Sequence, residues 1–305
     1  MSEKEKKTAK RPVRASAVVG IVIWSVVFCL LGALLLAGLT GNGIMIKDLL
    51  GIPVISLGGM TYEDARDYNV GNATVADKIT ELTVEWVSGN ITVVPAEGDV
   101  ITVTEDYDGK DDSLRLRWRV EDGELTVRFR KSSIIGKVDV TKNLTVAIPA
   151  SMLEAMGEVD ISLVSGNVTY TGNADELSLE AVDGDLTVAG NIGDLEVSAV
   201  DGDVVFRGGV RRGRMECVDA DVTMYLDMAT DLNFDQMNGD VTLYLSEEIT
   251  GFDAELDSLG GEIRTEGFTD VSGKDGYSAR WGDGSLRIRM DGLYNKLEVK
   301  KTTKD

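Results

Sequence analysis

Residues 159–230 read VDISLVSGNVTYTGNADE, LSLEAVDGDLTVAGNIGD, LEVSAVDGDVVFRGGVRR and GRMECVDADVTMYLDMAT, four successive segments of 18 residues. DLNFDQMNGDVTLYLSEEI follows from residue 231 with one extra residue. Each segment alternates apolar and other residues, turns at a corner such as Ser-Gly-Asn or Asp-Gly-Asp, and then resumes the alternation. Alternation is typical of half-buried strands. A fixed period near 20 predicts one structural unit stacked on copies of itself.

Two architectures agree with this repeat. Asp-Gly between alternating runs is a strong hairpin signal, so each unit could be an antiparallel hairpin in a meander or sandwich. Equivalent positions, however, carry similar residues every 18 positions, for example Leu177 and Leu195, or Leu179 and Val197. Turns stacked in register require that regularity, and a sandwich does not. The favoured fold class is therefore all-β, a stacked β-solenoid of about 18-residue turns.

Similar patterns flank the repeat on both sides. Leu82, Val84 and Trp86 alternate before a Ser-Gly-Asn corner, and Leu286, Ile288 and Met290 alternate near the other end. The predicted β-solenoid domain therefore covers residues 76–305.

The N-terminal region predicts a membrane anchor. Residues 1–14 are basic, and no charged residue occurs in 15–40, which as a helix is long enough to span the hydrocarbon core. Residues 41–75 are Gly-rich and are assigned as a juxtamembrane linker. Because the basic flank stays in the cytoplasm, we expect one N-terminal transmembrane helix, with the C-terminal domain extracytoplasmic at the cell membrane.

Composition excludes several function classes. The net charge is −21 for the chain and −25 after residue 14, which disfavours nucleic acid as a partner. Histidine is absent, which removes Ser-His-Asp chemistry, imidazole acid–base catalysis and His-based zinc sites. Cys29 lies in the predicted anchor and Cys217 at an inward position of the repeat, so no disulfide framework is expected.

Two groups of arginines interrupt the acidic sequence. Arg115, Arg117, Arg119, Arg128 and Arg130 alternate with apolar residues on two neighbouring predicted strands. They form either a docking stripe for an anionic partner, such as a wall polymer or lipid headgroup, or a solvated face paired with acidic neighbours such as Glu85 and Glu105. A smaller group lies at a predicted loop and has the same two interpretations: Arg211, Arg212 and Arg214.

The corner aspartates are the one group of residues whose pattern could support metal binding or catalysis. Stacked turns would bring like charges about 4.8 Å apart, in two columns: Asp183, Asp201 and Asp219, and Asp185, Asp203, Asp221 and Asp240. Solvated corner residues, a Ca²⁺ site and a carboxylate pair of a β-helix polysaccharide-active enzyme are the alternatives. These aspartates recur at every turn instead of converging at one cleft, so we expect a non-enzymatic protein without catalytic, metal or cofactor-binding residues.

Several motifs carry a family resemblance. KNLTVAIP at 142–149, GFDAELDSLGG at 251–261 and WGDGSLRI at 281–288, together with the corners, are similar to the bacterial putative adhesin family, a membrane-anchored domain of unknown function. The resemblance covers about residues 78–299 and implies an extracytoplasmic β-solenoid. Ala220 departs from the pattern where glycine is expected. The expected function is an adhesin or envelope scaffold and binding module, with an envelope polymer or a membrane protein as partner; the alternative is an accessory of an envelope-stress sensing system.

Overall fold

The computed structural model describes residues 68–131, 140–273 and 276–302. These residues belong to one compact unit and are almost entirely β-structure. One short helix occurs among them, α1 (Ala150–Leu153). The strands are β1 (Asn69–Val70), β2 (Ala73–Val75), β3 (Glu81–Ser88), β4 (Ile91–Ala96), β5 (Ile101–Glu105), β6 (Arg117–Glu121), β7 (Glu124–Arg128), β8 (Leu144–Pro149), β9 (Glu158–Ser165), β10 (Val168–Thr171), β11 (Ala174–Asp183), β12 (Leu186–Ala189), β13 (Ile192–Asp201), β14 (Val204–Asp219), β15 (Val222–Asn238), β16 (Val241–Leu245), β17 (Gly251–Ser258), β18 (Glu262–Glu266), β19 (Ser278–Gly282), β20 (Leu286–Gly292) and β21 (Lys296–Lys301).

The repeat stacks in parallel and in register. Leu177 pairs with Leu195, 18 residues later, and Leu186 pairs with Val204 across the same period. The strands on either side of a corner, such as β11 and β12, do not pair with each other but with the equivalent strands of neighbouring turns. The hairpin alternative is therefore wrong for the repeat, and the all-β architecture is consistent with a β-solenoid.

The strands form two columns. Column A contains, in spatial order, β1, β6, β7, β3, β9, β11, β13, β14, β15, β20, β17 and β19. Column B contains β2, β5, β8, β4, β10, β12, β14, β15, β16, β21 and β18. The long strands β14 and β15 pass a corner and contribute to both columns.

Spatial order departs from chain order at both ends of the stack. The pair β3 and β4 lies between β9 and β10 on one side and the later strands β7 and β8 on the other. At the opposite end, β20 and β21 are inserted between the β15–β16 turn and the earlier strands β17 and β18. The last strands of the chain are thus interior strands of the stack.

The core lies between the inward faces of the two columns. Apolar residues at alternating positions are buried along each strand, which explains why the sequence alternates. Trp86, Tyr170, Phe206, Phe234 and Phe252 are each at most 1% exposed. Trp86 packs edge-on against Phe129, with ring centroids 4.9 Å apart. These aromatic side chains are among the largest that are fully buried in the stack.

Parts of the N-terminal prediction fall on residues that the structure describes. Residues 69–75, which the sequence assigned to the juxtamembrane linker, form β1 and β2 and pair with β6 and β5. The basic tail 1–14 and the predicted anchor 15–40 lie outside the described residues. Within 68–131, 140–273 and 276–302, no helix has the length and apolar character needed to cross a membrane.

Candidate functional site

The second Asp or Asn of each corner bonds to the next turn. The Asp185 Oδ1 atom accepts a hydrogen bond of 3.0 Å from the backbone N–H of Asp203. We call this series of bonds the Asx ladder. It follows the spatial order of column B. In each bond the backbone N–H of one residue donates to the Oδ1 atom of the residue before it in this spatial order: Asp106, Asn143, Asn90, Asn167, Asp185, Asp203, Asp221, Asp240 and Lys296. The ladder therefore joins successive turns of the stack.

The first Asp of each corner stacks as the sequence predicted. Asp183 is the register partner of Asp201, and Asp201 is that of Asp219. The carboxylate of Asp219 accepts a bond of 2.8 Å from the Asn238 side-chain amide. These side chains are solvent-exposed. Both predicted aspartate columns thus exist.

The corner carboxylates on which the Ca²⁺ hypothesis depends have hydrogen-bond partners within the protein. An oxygen of each Asx-ladder aspartate that would ligate a cation already accepts a backbone N–H, which relieves the electrostatic cost of stacking. In the part of the chain that the structure describes, no group of three or more Cys, Asp or Glu side chains is placed to hold a metal ion. The carboxylates of the Asx ladder therefore act as structural acceptors.

Glycine between the two Asx residues permits the close approach of the turns. Gly184 has φ +142°, and a Cβ atom there would lie 1.6 Å from the carbonyl oxygen of Gly166. Ala220 occupies this position in one turn, and its φ is not positive. That corner bends differently: the Asp221 N–H to Asp203 Oδ1 distance is 3.4 Å. The Ala220 carbonyl instead accepts a bond of 3.1 Å from the buried Gln236 side chain.

The arginine cluster comprises Arg115, Arg117, Arg119, Arg128 and Arg130. It lies on and next to β6 and β7, whose antiparallel register sets Arg117 directly opposite Arg128. Arg128 pairs with Glu85 at 2.6 Å, as the solvated-face interpretation predicted. Burial raises the pKa of Glu85, although Arg128 opposes the shift.

The same interpretation is wrong for Glu105, which is 3% exposed and bonds to Lys142 at 2.5 Å instead of an arginine. Nor does the cluster form a solvated stripe. Arg117 is 5% exposed, and the four other arginines are half-buried. The ring of Tyr68 lies between the guanidinium groups of Arg119 and Arg128, 5.0 and 4.8 Å from its centroid. Arg117 is thus withdrawn from bulk water, whereas the side chains of Arg115 and Arg119 stay partly exposed.

Beneath the cluster lies a buried ion pair that the sequence did not reveal. The Lys142 ammonium is 1% exposed and donates three hydrogen bonds, to Glu105 Oε2 at 2.5 Å and to the carbonyl oxygens of Leu114 and Phe129 at 2.6 and 2.5 Å. Its three donors are thus all satisfied. Burial lowers the pKa of Lys142 to about 8, although Glu105 opposes the shift. In the sequence, Lys142 is simply the first residue of the KNLTVAIP motif. Its partners Leu114 and Glu105 lie 28 and 37 residues away, so no local pattern predicts the buried ion pair.

The smaller arginine group lies in strand β14 and not in a loop as predicted, and it makes ion pairs both within that strand and with the preceding turn. Arg211 and Arg212 both bond to the Asp194 carboxylate, and Arg214 bonds to Glu216. The hydrogen bond from Arg212 lowers the pKa of Asp194. This group fits the paired-face interpretation. All of these bonds lie on the outward face of column A.

A row of carboxylates precedes these ion pairs in column A. Glu124, Glu81, Glu158, Glu176 and Asp194 are successive register partners. Four of them, all except Glu124, border an open cleft of about 520 Å³. Like charges directly opposite destabilise a sheet, and nearby carboxylates, Asp160 first, raise the pKa of Glu158. Glu158, Glu176 and Asp194 recur every 18 residues, so the repeat period carried a signal for this part of the row, whereas Glu81 and Glu124 lie outside the repeat.

Cys217 is inert in this environment. Its side chain is 2% exposed, and burial raises the pKa of the thiol to about 12. A thiolate is the reactive form, so a thiol of this kind acts as a small core residue. The inward position predicted for Cys217 is confirmed by its register pairing with Ala199.

Comparison with solved structures finds several bacterial proteins of low sequence identity. A putative cell adhesion protein from Clostridium sporogenes is 10% identical, with a TM-score of 0.34, over 77% of this chain and 100% of the other. A putative adhesin from Bacteroides fragilis is 13% identical, with a TM-score of 0.40, over 77% and 97% of the two chains. A putative adhesin from Parabacteroides distasonis is 12% identical, with a TM-score of 0.38, over 77% and 98%.

A comparison with curated proteins finds no match. The family comparison is decisive, because its match covers the stack of turns described above. The family model described as Toastrack DUF4097 matches residues 79–303, well over half of the chain. That match begins at β3, reaches past the end of β21 and includes every corner of the Asx ladder. This chain therefore belongs to the Toastrack DUF4097 family.

Proposed function

We propose that this protein is a non-enzymatic module of the cell envelope, tethered by an N-terminal transmembrane helix, that acts as an adhesin or as a scaffold and binding surface outside the membrane. The observation that carries the proposal is the Asx ladder. The carboxylates of the Asx ladder, one of the two repeated columns that offered a prospect of catalysis, accept hydrogen bonds from backbone N–H groups. What the repeat presents outward is therefore a regular surface for contact.

Two features of the sequence support the location. Residues 15–40 carry no charge and follow a basic segment, the arrangement of a single-pass anchor whose N-terminus stays in the cytoplasm. The strongly acidic remainder of the chain gives a soluble domain. Family membership is compatible with this proposal and names no ligand.

Cysteine labelling in intact cells tests the location. Met228 is 54% exposed on β15, so a Met228→Cys variant offers a reactive thiol on the folded domain. The native Cys217 is buried and provides a low background. We expect a membrane-impermeant maleimide to label Met228→Cys in intact cells and a matched Ser2→Cys variant only after lysis. Labelling of Met228→Cys only after lysis would show that the domain is not outside the membrane.

Crosslinking at the same positions tests the role. A photoreactive residue at Met228 or at Leu259, which is 62% exposed, should capture an envelope polymer or a molecule on another cell's surface. The same residue at Ser2 is the control for capture on the cytoplasmic side. Recovery of a membrane-embedded sensor in place of these partners would reject the adhesin or scaffold role and favour the alternative, an accessory of envelope-stress sensing.

A further inference from the structure

Three residues of the arginine cluster have a buried guanidinium donor that no protein acceptor meets. The Nε atoms of Arg115, Arg117 and Arg119 are buried and have no hydrogen-bond partner. A buried donor without an acceptor is costly, and more so when the group is charged. Native structures tolerate few such atoms, and three of them on neighbouring side chains indicate a site suited to a group with several acceptor oxygens.

Arg117 is the most deeply buried of the three arginines with an unpartnered donor. It is 5% exposed, and its Nη2 atom donates to the Asp112 carbonyl oxygen at 2.6 Å. Among the described residues, no carboxylate lies within ion-pair distance of Arg117. Its register partner, Arg128, is also cationic, and Glu85 is already paired with Arg128. Arg117 therefore retains a buried positive charge that no carboxylate balances.

The neighbours of Arg117 are accessible from solvent. The side chains of Arg115 and Arg119 are 34% and 36% exposed. Arg115 Nε lies 3.3 Å from an Asp112 oxygen without making a hydrogen bond, and Arg119 pairs with Glu121 through a different nitrogen, Nη2. Arg119 lies two residues from Arg117 on β6, about 6.6 Å away along an extended chain, and Arg115 lies just before β6, so these two long side chains flank Arg117.

We propose that the arginine cluster binds a phosphate group, with Arg117 at the centre and Arg115 and Arg119 as its flanking contacts. A phosphate group carries several strong acceptor oxygens, and the planar guanidinium fork matches their geometry. Binding would supply acceptors to the three Nε donors and would balance the charge of Arg117. The site stands on these contacts alone and does not depend on the proposed location of the chain.

Titration of the full-length protein with inorganic phosphate tests the site. Relative to chloride at equal ionic strength, phosphate is expected to raise the melting temperature and to shift the Nε–H NMR signal of Arg117. Arg117→Gln is expected to weaken phosphate binding at least about tenfold, because a charge-assisted bond is removed. Arg212→Gln is the matched control, since Arg212 pairs with Asp194 on later turns, and it should bind phosphate like the wild type.

Two results would overturn the site. One is an equal effect of phosphate and chloride on the wild type; the other is a folded Arg117→Gln variant with unchanged phosphate affinity. If Arg117→Gln does not fold, Arg119→Gln at the exposed flank replaces it, with the same expectation of weaker binding. A second titration with glycerophosphoglycerol separates the sources: equal affinity identifies a phosphodiester of a polymer or lipid, and binding of inorganic phosphate alone identifies free phosphate. Failure here leaves the labelling experiment on membrane location unaffected.

Discussion

At the scale of single residues, two kinds of position control this fold. Corner glycines are required by steric contact between successive turns, and the sequence shows them directly. The buried pair of Lys142 and Glu105 is required by charge, and the sequence hides it. Lys142 is held by groups from three segments, so it ties β8 to β5 and to the chain around β7.

Replacement of Gly184 tests the steric requirement. Gly184→Ala places a Cβ atom 1.6 Å from the Gly166 carbonyl oxygen, on a backbone with positive φ. We expect a loss of about 2–3 kcal/mol in the free energy of unfolding, measured by urea denaturation. The matched control is Ala220→Gly, at the corner that already bends differently, with a cost of no more than about 1 kcal/mol. Equal stability of Gly184→Ala and wild type would contradict the steric account.

The pH dependence of stability tests the buried pair. The pKa of Lys142 falls from its ordinary 10.5 to about 8 in the folded protein. Between these pH values the unfolded chain binds more protons than the folded one, so this group makes stability rise with pH. The reference is the double variant Lys142→Met with Glu105→Gln, which lacks both charges. We expect the unfolding free energy of the wild type, measured relative to this variant, to increase from about pH 8 to about pH 10.5. A constant difference would show that Lys142 does not titrate in this range.

At the scale of structural elements, two kinds of hydrogen bond join successive turns of the repeat. Backbone pairing joins each strand to the equivalent strand of the next turn, and the Asx ladder adds a side-chain bond at the corner. Asparagine occupies the ladder in some turns and aspartate in others, because both provide the Oδ1 acceptor. The ladder therefore depends on the acceptor oxygen and not on the charge.

Substitution of one ladder residue separates acceptor from charge. Asp185→Ala removes the acceptor for the Asp203 N–H, and we expect a loss of about 1–2 kcal/mol in unfolding free energy. Asp185→Asn keeps the acceptor and should cost much less. Asp183→Ala at the adjacent corner position is the control, because its carboxylate accepts only a long bond of 3.5 Å from Ser165. The interpretation would be wrong if Asn and Ala at residue 185 were equally destabilising. Added Ca²⁺ should leave the melting temperature of the wild type unchanged.

At the scale of the described unit, the strands at each end of the stack are not stacked in chain order. In a solenoid built in chain order, the last strands would form an end of the stack and would fray first. Here β20 and β21 are paired on both sides. At this end of column B the edge strand is β18, whose residues are mostly exposed. Charged residues at this edge, such as Glu262, Arg264 and Glu266, discourage further pairing.

Hydrogen exchange of the full-length protein tests this arrangement. Amides of β20 and β21 are expected to exchange as slowly as those of β15 and β16, although they are near the end of the chain. Amides of β18, at the edge, should exchange at least about tenfold faster. Fast exchange across β20 and β21, with slow exchange in β18, would indicate stacking in chain order.

The sequence by itself determined the repeating element, its period, its inward residues and its corners, since these depend on neighbours one turn away. Leu177, Leu195 and Leu232 share an inward position as the 18-residue spacing predicts, through pairing with Gly213 in the intervening turn. The two columns of corner aspartates are likewise stacked as expected. Local alternation and a fixed period encode this part of the fold directly.

Only the tertiary structure decided which segments become neighbours at the two ends of the stack and what the charged residues contact. The insertion of β20 and β21, the bond between Lys142 and Glu105, and the unbalanced charge of Arg117 arise from residues brought together outside the repeat period. A charged side chain has the same appearance in a sequence whether water or protein surrounds it. Its burial and its partners, which set its energy and its chemistry, are properties of the assembled stack.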